Sequence, residues 1–253
     1  MKFLIPFVAW MLLGQCVLAQ QSEPEVPPLD SMPIKSNYRF GLNIESGVFQ
    51  SIMRLPHLQK FMEANGGETP VTADVHVHIG LGFRLNRVKA TFQFSTPTTL
   101  LAQVPRNSTK WITRQQGGRQ WGIQLGYDLV NGYARRWYVY SGVGVQSIDF
   151  TVYRRTGQTI PFGSILLNAP PGGVASLGIR NAPYIDMGIE MSFREKQPQS
   201  RGATTRIGYR HGLRQNDYRS DMYGLTDPIS DRLSQFYVQT FFSVSDNFSR
   251  KTP

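Results

Sequence analysis

Eight segments of this chain alternate apolar and polar residues with a period of two, and the connections between them run long, short, long, short from first to last. Such alternation gives a strand one apolar and one polar face. Alternating connection lengths put every long loop at one end of the sheet and every tight turn at the other, as an up-and-down antiparallel order requires. The chain is therefore expected to be all-β.

In the first segment Tyr38, Phe40, Leu42 and Ile44 oppose Arg39, Gly41, Asn43 and Glu45. The second sets Val75, Val77, Ile79, Leu81 and Phe83 against Asp74, His76, His78, Gly80, Gly82 and Arg84. A short turn leads to the third, where Val88, Ala90, Phe92 and Phe94 oppose Lys89, Thr91, Gln93 and Ser95. Trp121, Ile123, Leu125 and Tyr127 mark the fourth, and Asn131-Gly132 turns it into the fifth, with Trp137, Val139, Val143 and Val145. Beyond Ser147 the formerly polar face becomes apolar, with Ile148, Phe150 and Val152, which predicts a bulge or emergence from a membrane. The sixth opposes Ile185, Met187, Ile189, Met191 and Phe193 to Asp186, Gly188 and Glu190. Thr205, Ile207 and Tyr209 against Arg206 and Arg210 form the seventh, and Phe236, Val238, Phe242 and Val244 against Gln235, Gln239 and Ser243 the eighth.

The full charges on the polar face decide which way it points. A soluble barrel would turn its apolar face inward and leave those charges wet; a membrane barrel inverts the two. The aromatics of the apolar set fall into two groups. Tyr38, Phe40, Phe83, Tyr127, Trp137, Phe193 and Phe242 lie toward the turn end, and Phe94, Trp121, Tyr209 and Phe236 toward the loop end. Two aromatic belts separated by aliphatics are what bilayer interfaces select. The expected fold is an eight-stranded antiparallel up-and-down transmembrane β-barrel over residues 38–248, with a tail at 249–253.

The first nineteen residues read as a signal peptide: Met1-Lys2, an apolar run and Val17-Leu18-Ala19 before the cleavage point. A competing reading takes Leu13-Gly14-Gln15-Cys16 as a lipoprotein box, although Gln15 is a poor residue to precede a modified cysteine. Cleavage after Ala19 removes the only cysteine, so no disulfide is available. Residues 20–37, with Pro24, Pro27 and Pro28, read as a flexible periplasmic leader. After Ala19 no apolar run approaches the ~20 residues of a membrane helix. Net charge is +10, and +9 without Lys2, which favours anionic lipid phosphates over nucleic acid for an exported protein.

Over residues 38–247 this pattern resembles the small outer-membrane β-barrel family of Gram-negative bacteria, of the OmpA/OmpX-like eight-stranded type. The resemblance implies periplasmic termini and short turns, insertion by barrel-assembly machinery, and extracellular loops at about 50–71, 99–119, 154–180 and 214–232. The chain departs from the terminal aromatic that such barrels often carry, since Phe248 is followed by Ser249-Arg250-Lys251-Thr252-Pro253.

An eight-stranded barrel is wide enough only for side chains to fill it, which argues against an open pore. Glu45, Asp74, Asp186 and Glu190 are expected to form an interior charge network with Arg39, Arg84, Arg206 and Arg210, because unpaired buried charges are very costly. Inward glycines would leave room for those arginines. His76 and His78 share a face at about 7 Å, a spacing that metal sites use. Were Phe49 to pair near Thr72, Glu45 would fall beside His76; against this weak metal candidate stands simple hydrogen bonding in a polar interior.

Some barrels of the family act on lipid with a His and a Ser. Here His211 lies near the outer rim, but Leu213 occupies the position where a serine would serve. In the first loop Leu58, Phe61 and Met62 have helical spacing and Gly66-Gly67 offers a C-cap, so a short amphipathic helix could rest on lipid or cap the barrel. Arg106, Lys110, Arg114, Arg154, Arg155 and Arg180 in loops two and three could meet lipopolysaccharide phosphates. The function expected is a non-enzymatic outer-membrane barrel without cofactor. It would be an envelope structural or surface-interaction protein, with outer-membrane lipid, lipopolysaccharide and an unidentified extracellular or envelope partner. The alternatives are a lipid-modifying barrel enzyme and a soluble exported ligand-binding β-barrel.

Overall fold

The computed structural model describes residues 38–67, 73–98, 111–130, 135–154, 174–193 and 199–249. The expected signal peptide, the leader and residues 250–253 lie outside the described residues. Eight long strands pair as antiparallel neighbours and close into a barrel. They are β1 (Tyr38–Arg54), β2 (Ala73–Leu85), β3 (Val88–Thr98), β4 (Trp111–Asp128), β5 (Arg135–Arg154), β6 (Val174–Phe193), β7 (Gln199–Gly212) and β10 (Ser234–Ser249). Helix α1 (Pro56–Ala64) and a two-residue hairpin, β8 (Asn216–Asp217) and β9 (Ser230–Asp231), sit at the loop end.

The register fixes the geometry. A hydrogen-bonded row on the inward face runs from Ser245 through Asn43, Gly82, Thr91, Gln124, Gly142, Asp186 and Arg210 to Gln235. It returns to β10 ten residues nearer the loop end. A shear of ten on eight strands corresponds to a strand tilt of about 40° and a barrel radius of about 8 Å.

Outward residues are apolar and exposed, as in Leu125 (59%), Val143 (61%) and Phe236 (64%), while Glu45, Arg206 and Arg210 are at most 1% exposed. The inversion makes the barrel transmembrane: lipid alone can cover such a wall, since it closes without an edge and its described outward positions carry no charge between the two aromatic belts. On β5 the outward set is Trp137, Val139, Ser141, Val143 and Val145, and then becomes Ser147, Asp149 and Thr151. From Trp137 to Val145 the tilted strand climbs about 20 Å, close to the ~25 Å apolar band of such barrels. Phe40, Phe83, Tyr127, Trp137 and Phe242 are exposed toward the turn end, and Phe94, Trp121 and Phe236 toward the loop end. Tyr209 packs on Phe236 with ring centroids 4.6 Å apart. The side chains of Tyr38 and Phe193 lie outside the described residues. Phe92, also exposed, sits between the two belts.

Several strands run further than the alternation of apolar residues suggests: β1 continues to Arg54, β4 begins at Trp111 and β6 at Val174. The reason is visible in β5, where Gln146, Ile148, Phe150 and Val152 all remain on the inward side and buried. The strand does not change phase; the lumen changes from polar to apolar where the wall leaves the bilayer. The bulges lie in its neighbours. Gln116 is an extra residue in β4, and β6 places Arg180 and Asn181 opposite Ser147 alone.

Helix α1 closes this apolar mouth. Leu58 and Met62 are buried and pack with Met53, Leu55, Ile148, Phe150, Ile179, Tyr218 and Leu233, whereas Phe61 points outward and is exposed. Gly66 ends the helical turn at φ +68, a conformation glycine adopts without strain. Leu55 at the N-cap offers no side-chain cap. Asp231 of β9 supplies one from beside the loop end of the β1–β10 pair, its carboxylate accepting the backbone N–H of His57 at 3.0 Å and of Leu58 at 2.9 Å. Tyr218 donates its hydroxyl to the same carboxylate at 3.2 Å. Burial and then the Asp231 charge push the Tyr218 phenol well above its ordinary range, so it stays a donor.

Asp231→Ala should therefore loosen the plug and leave the barrel intact. The expected cost is about 1–2 kcal/mol, read as faster amide exchange over residues 57–64 with unchanged exchange in β2–β7. Unaltered exchange in the helix would show that its capping is redundant.

Candidate functional site: a charge-filled lumen under an apolar plug

Inward alternation brings a polar side chain, an aromatic ring or a glycine from each strand into every layer of the lumen, and the register determines which charges meet. Near the turn end Arg136 approaches Asp128 at 3.4 Å and donates to the Tyr138 hydroxyl at 3.0 Å, while Arg84 donates to the Asn86 carbonyl at 3.3 Å. Above them Lys89 lies between two carboxylates, 2.8 Å from Glu45 and 2.7 Å from Glu190. Arg206 completes this square, bonding Glu190 through both Nε at 3.0 Å and Nη2, and reaching Glu45 at 3.4 Å. Asn43 and Gln239 hold the periphery through bonds of 2.8 Å to Glu45 and 3.0 Å from Arg206.

One layer higher Asp186 gathers Arg210 at 3.2 Å, Gln124 at 2.7 Å and the Tyr237 hydroxyl at 2.7 Å. Arg210 also donates to Gln120 and stacks on Phe49, Tyr184 and Tyr237, with 4.7–5.0 Å from its central carbon to the ring centroids. Across these two layers Lys89, Arg206 and Arg210 face Glu45, Glu190 and Asp186: three cations meet three carboxylates, all buried. Beside the network a cavity of about 10 Å³ remains between Lys89, Gln124, Tyr140 and Arg206, room for one water at most.

Of the residues expected to form the network, Glu45, Asp186, Glu190, Arg206 and Arg210 are brought together. Asp74 lies elsewhere, near the loop end, 3.2 Å from His76. Arg84 donates to the Asn86 carbonyl near the turn end, and the Arg39 side chain is outside the described residues. Lys89, Asp128 and Arg136 were missed. Lys89 shares the parity of Thr91 and Gln93 on β3, so its inward position was readable.

The glycines also serve a different purpose from the one expected. A Cβ on Gly208 or Gly188 would collide with the Tyr140 hydroxyl, and one on Gly144 would come within 2.5 Å of the Tyr184 hydroxyl. They make room chiefly for tyrosines, whose rings cross the lumen and carry the guanidinium groups on their faces.

The metal candidate is not assembled. Phe49 pairs with His76 itself rather than near Thr72, which sets Glu45 opposite Gly80, four residues from the position that trio needs. His78, not His76, approaches Glu45, at 3.7 Å, while His76 meets the Phe49 ring edge-on. Among the described residues no three His, Cys, Asp or Glu side chains are arranged to hold a metal. His211 lies at the outer rim, 6.1 Å from the Tyr209 ring and 3.4 Å from the Arg232 guanidinium. Of the loop cations, Arg106, Lys110 and Arg155 and the side chains of Arg114 and Arg154 lie outside the described residues. Arg180 pairs with Asp221 at 2.8 Å.

No protein-family model matches the sequence, and no curated protein is similar to it. Solved structures are. Ail, the attachment invasion locus protein of Yersinia pestis, aligns at 10% identity and TM-score 0.41 over 81% of this chain and 97% of its own. Neisserial surface protein A aligns at 11% and 0.38 over 83% and 97%. The outer membrane protease OmpT of Escherichia coli aligns at 12% and 0.35 over 83% and 96%.

Removing one buried cation from the square leaves a carboxylate uncompensated, so Lys89→Met should destabilise the barrel by about 3–5 kcal/mol in urea unfolding from lipid. Adding Glu190→Gln restores neutrality and should recover a large part of that loss. A Lys89→Met barrel as stable as the parent would contradict the network.

Proposed function

We propose that this protein is a closed, non-enzymatic outer-membrane barrel of a Gram-negative envelope, acting as a structural or surface-interaction protein whose loop end meets its partners. The observation that carries this reading is the state of the lumen: a neutral set of buried ion pairs below an apolar plug. Breaking such pairs leaves charges stranded in a low dielectric, which argues against ions or solutes passing through. The turns would face the periplasm and helix α1 with the β8–β9 hairpin the exterior.

A lipid-modifying enzyme would need a nucleophile and a base held together. His211 has an arginine and a tyrosine ring beside it, which leaves it without such a partner among the described residues. A soluble ligand-binding barrel would need the two faces exchanged.

Purified protein inserted into planar lipid bilayers should show no discrete conductance at moderate voltage, with insertion verified by heat-dependent gel mobility. Regular unitary openings would contradict a closed lumen.

A further inference from the structure

On the outer wall, where β5 leaves the bilayer, a groove of about 730 Å³ opens across β3, β4, β5 and β6. Its floor is Phe94, Trp121 and Val145, the last apolar outward residues before the wall turns polar. Above them stand Arg119, Asp149 and Arg180.

Three features build this place. The bulges in β4 and β6 flank β5 on both sides at this height, with Asn181 at φ +52 and its N–H donated to the Ser147 hydroxyl at 3.0 Å. Bulges bend and twist the wall, which splays the side chains beside them. Glycines then flank the acid: a Cβ on Gly117 would come 3.2 Å from one Asp149 oxygen, and one on Gly178 would collide with the other. Finally, Asp149 is half-buried yet makes no hydrogen bond or ion pair among the described residues, and the exposed Arg119 makes none either. Arg119 faces Ser147 across the ladder, so Asp149 is its diagonal neighbour on the same face, about 7–8 Å away. Arg180, already paired with Asp221, closes the upper edge.

One anion holder, one cation holder and an aromatic floor at the membrane boundary select an amphiphile whose headgroup carries both signs. We propose that this groove binds a zwitterionic phosphoethanolamine headgroup carried by a lipid at the loop-end boundary of the membrane. Arg119 takes the phosphate, Asp149 takes the primary ammonium by charge-assisted hydrogen bonds, and the upper acyl chain lies on Phe94 and Trp121. The inference rests on the membrane-barrel reading and goes beyond it.

The test is native mass spectrometry of the folded protein in detergent micelles, titrated with phosphatidylethanolamine, phosphatidylglycerol or phosphatidylcholine of identical chains. One phosphatidylethanolamine should be retained about tenfold more tightly than either other lipid, the gain of one additional charge-assisted bond. Phosphatidylcholine lacks the ammonium hydrogens and phosphatidylglycerol the cation. Asp149→Asn should abolish the preference without weakening phosphatidylglycerol, and Arg119→Gln should weaken all three. Both positions face outward, and heat-dependent gel mobility checks folding of each variant.

Equal retention of the three lipids, or a preference that survives Asp149→Asn, would overturn the proposal. So would a lipid A that binds more tightly than phosphatidylethanolamine only with magnesium and only with Asp149 intact, since the acid would then hold a bridging ion. A protein soluble without detergent would instead overturn the membrane-barrel reading itself.

Discussion

Everything inside this barrel depends on the square of Lys89, Arg206, Glu45 and Glu190. Eight strands at a shear of ten enclose a lumen too narrow for bulk water and lined on every strand by polar side chains. Ions there survive only if they neutralise one another. The register brings residues up to 161 positions apart, Glu45 and Arg206, into one layer, and Asp186 with Arg210 repeats the solution above it. The tyrosines follow from this arrangement. Long cations need flat partners, and the glycines of β5–β7 give the rings of Tyr140, Tyr184 and Tyr237 the space to lie across the lumen.

The loop end obeys the opposite rule. Where the wall stands in water on the outside, its inside becomes apolar, and Ile148, Phe150 and Ile179 make a small soluble-type core that α1 covers. That helix has nine residues and no cap of its own, too short to be stable alone. Asp231 provides the missing acceptors from the far end of the fourth loop, so the plug and the β8–β9 hairpin stand or fall together. The membrane boundary can thus be read twice, once from outward side chains and once from inward ones. Both readings place it at residues 145–148 of β5.

Period-two alternation made the barrel legible in the sequence, because the lipid-facing residues are mostly apolar and, Phe49 apart, the inward ones of β1–β7 are polar or small within the bilayer. Glu45, Asp186, Glu190, Arg206 and Arg210 could be named from parity alone. Pairing could not. Parity says which face a residue occupies but not its height, so Asp74 was grouped with acids several layers below it and Glu45 was set beside the wrong histidine. Lys89 was visible yet overlooked. The strand extensions above the membrane were hidden because their alternation reverses meaning there, and Asp231 as a helix cap is a contact 173 residues distant that no local pattern announces.

Spin labels report directly on whether the apolar wall faces lipid. Single labels at Leu125→Cys, Val143→Cys and Ile207→Cys of the bilayer-reconstituted protein should collide preferentially with oxygen, which partitions into lipid. Labels at Ser147→Cys and Thr151→Cys should collide with an aqueous nickel chelate, with the crossover between Val143 and Ser147 on β5. Nickel-accessible labels at Leu125, Val143 and Ile207 would contradict the account at its root.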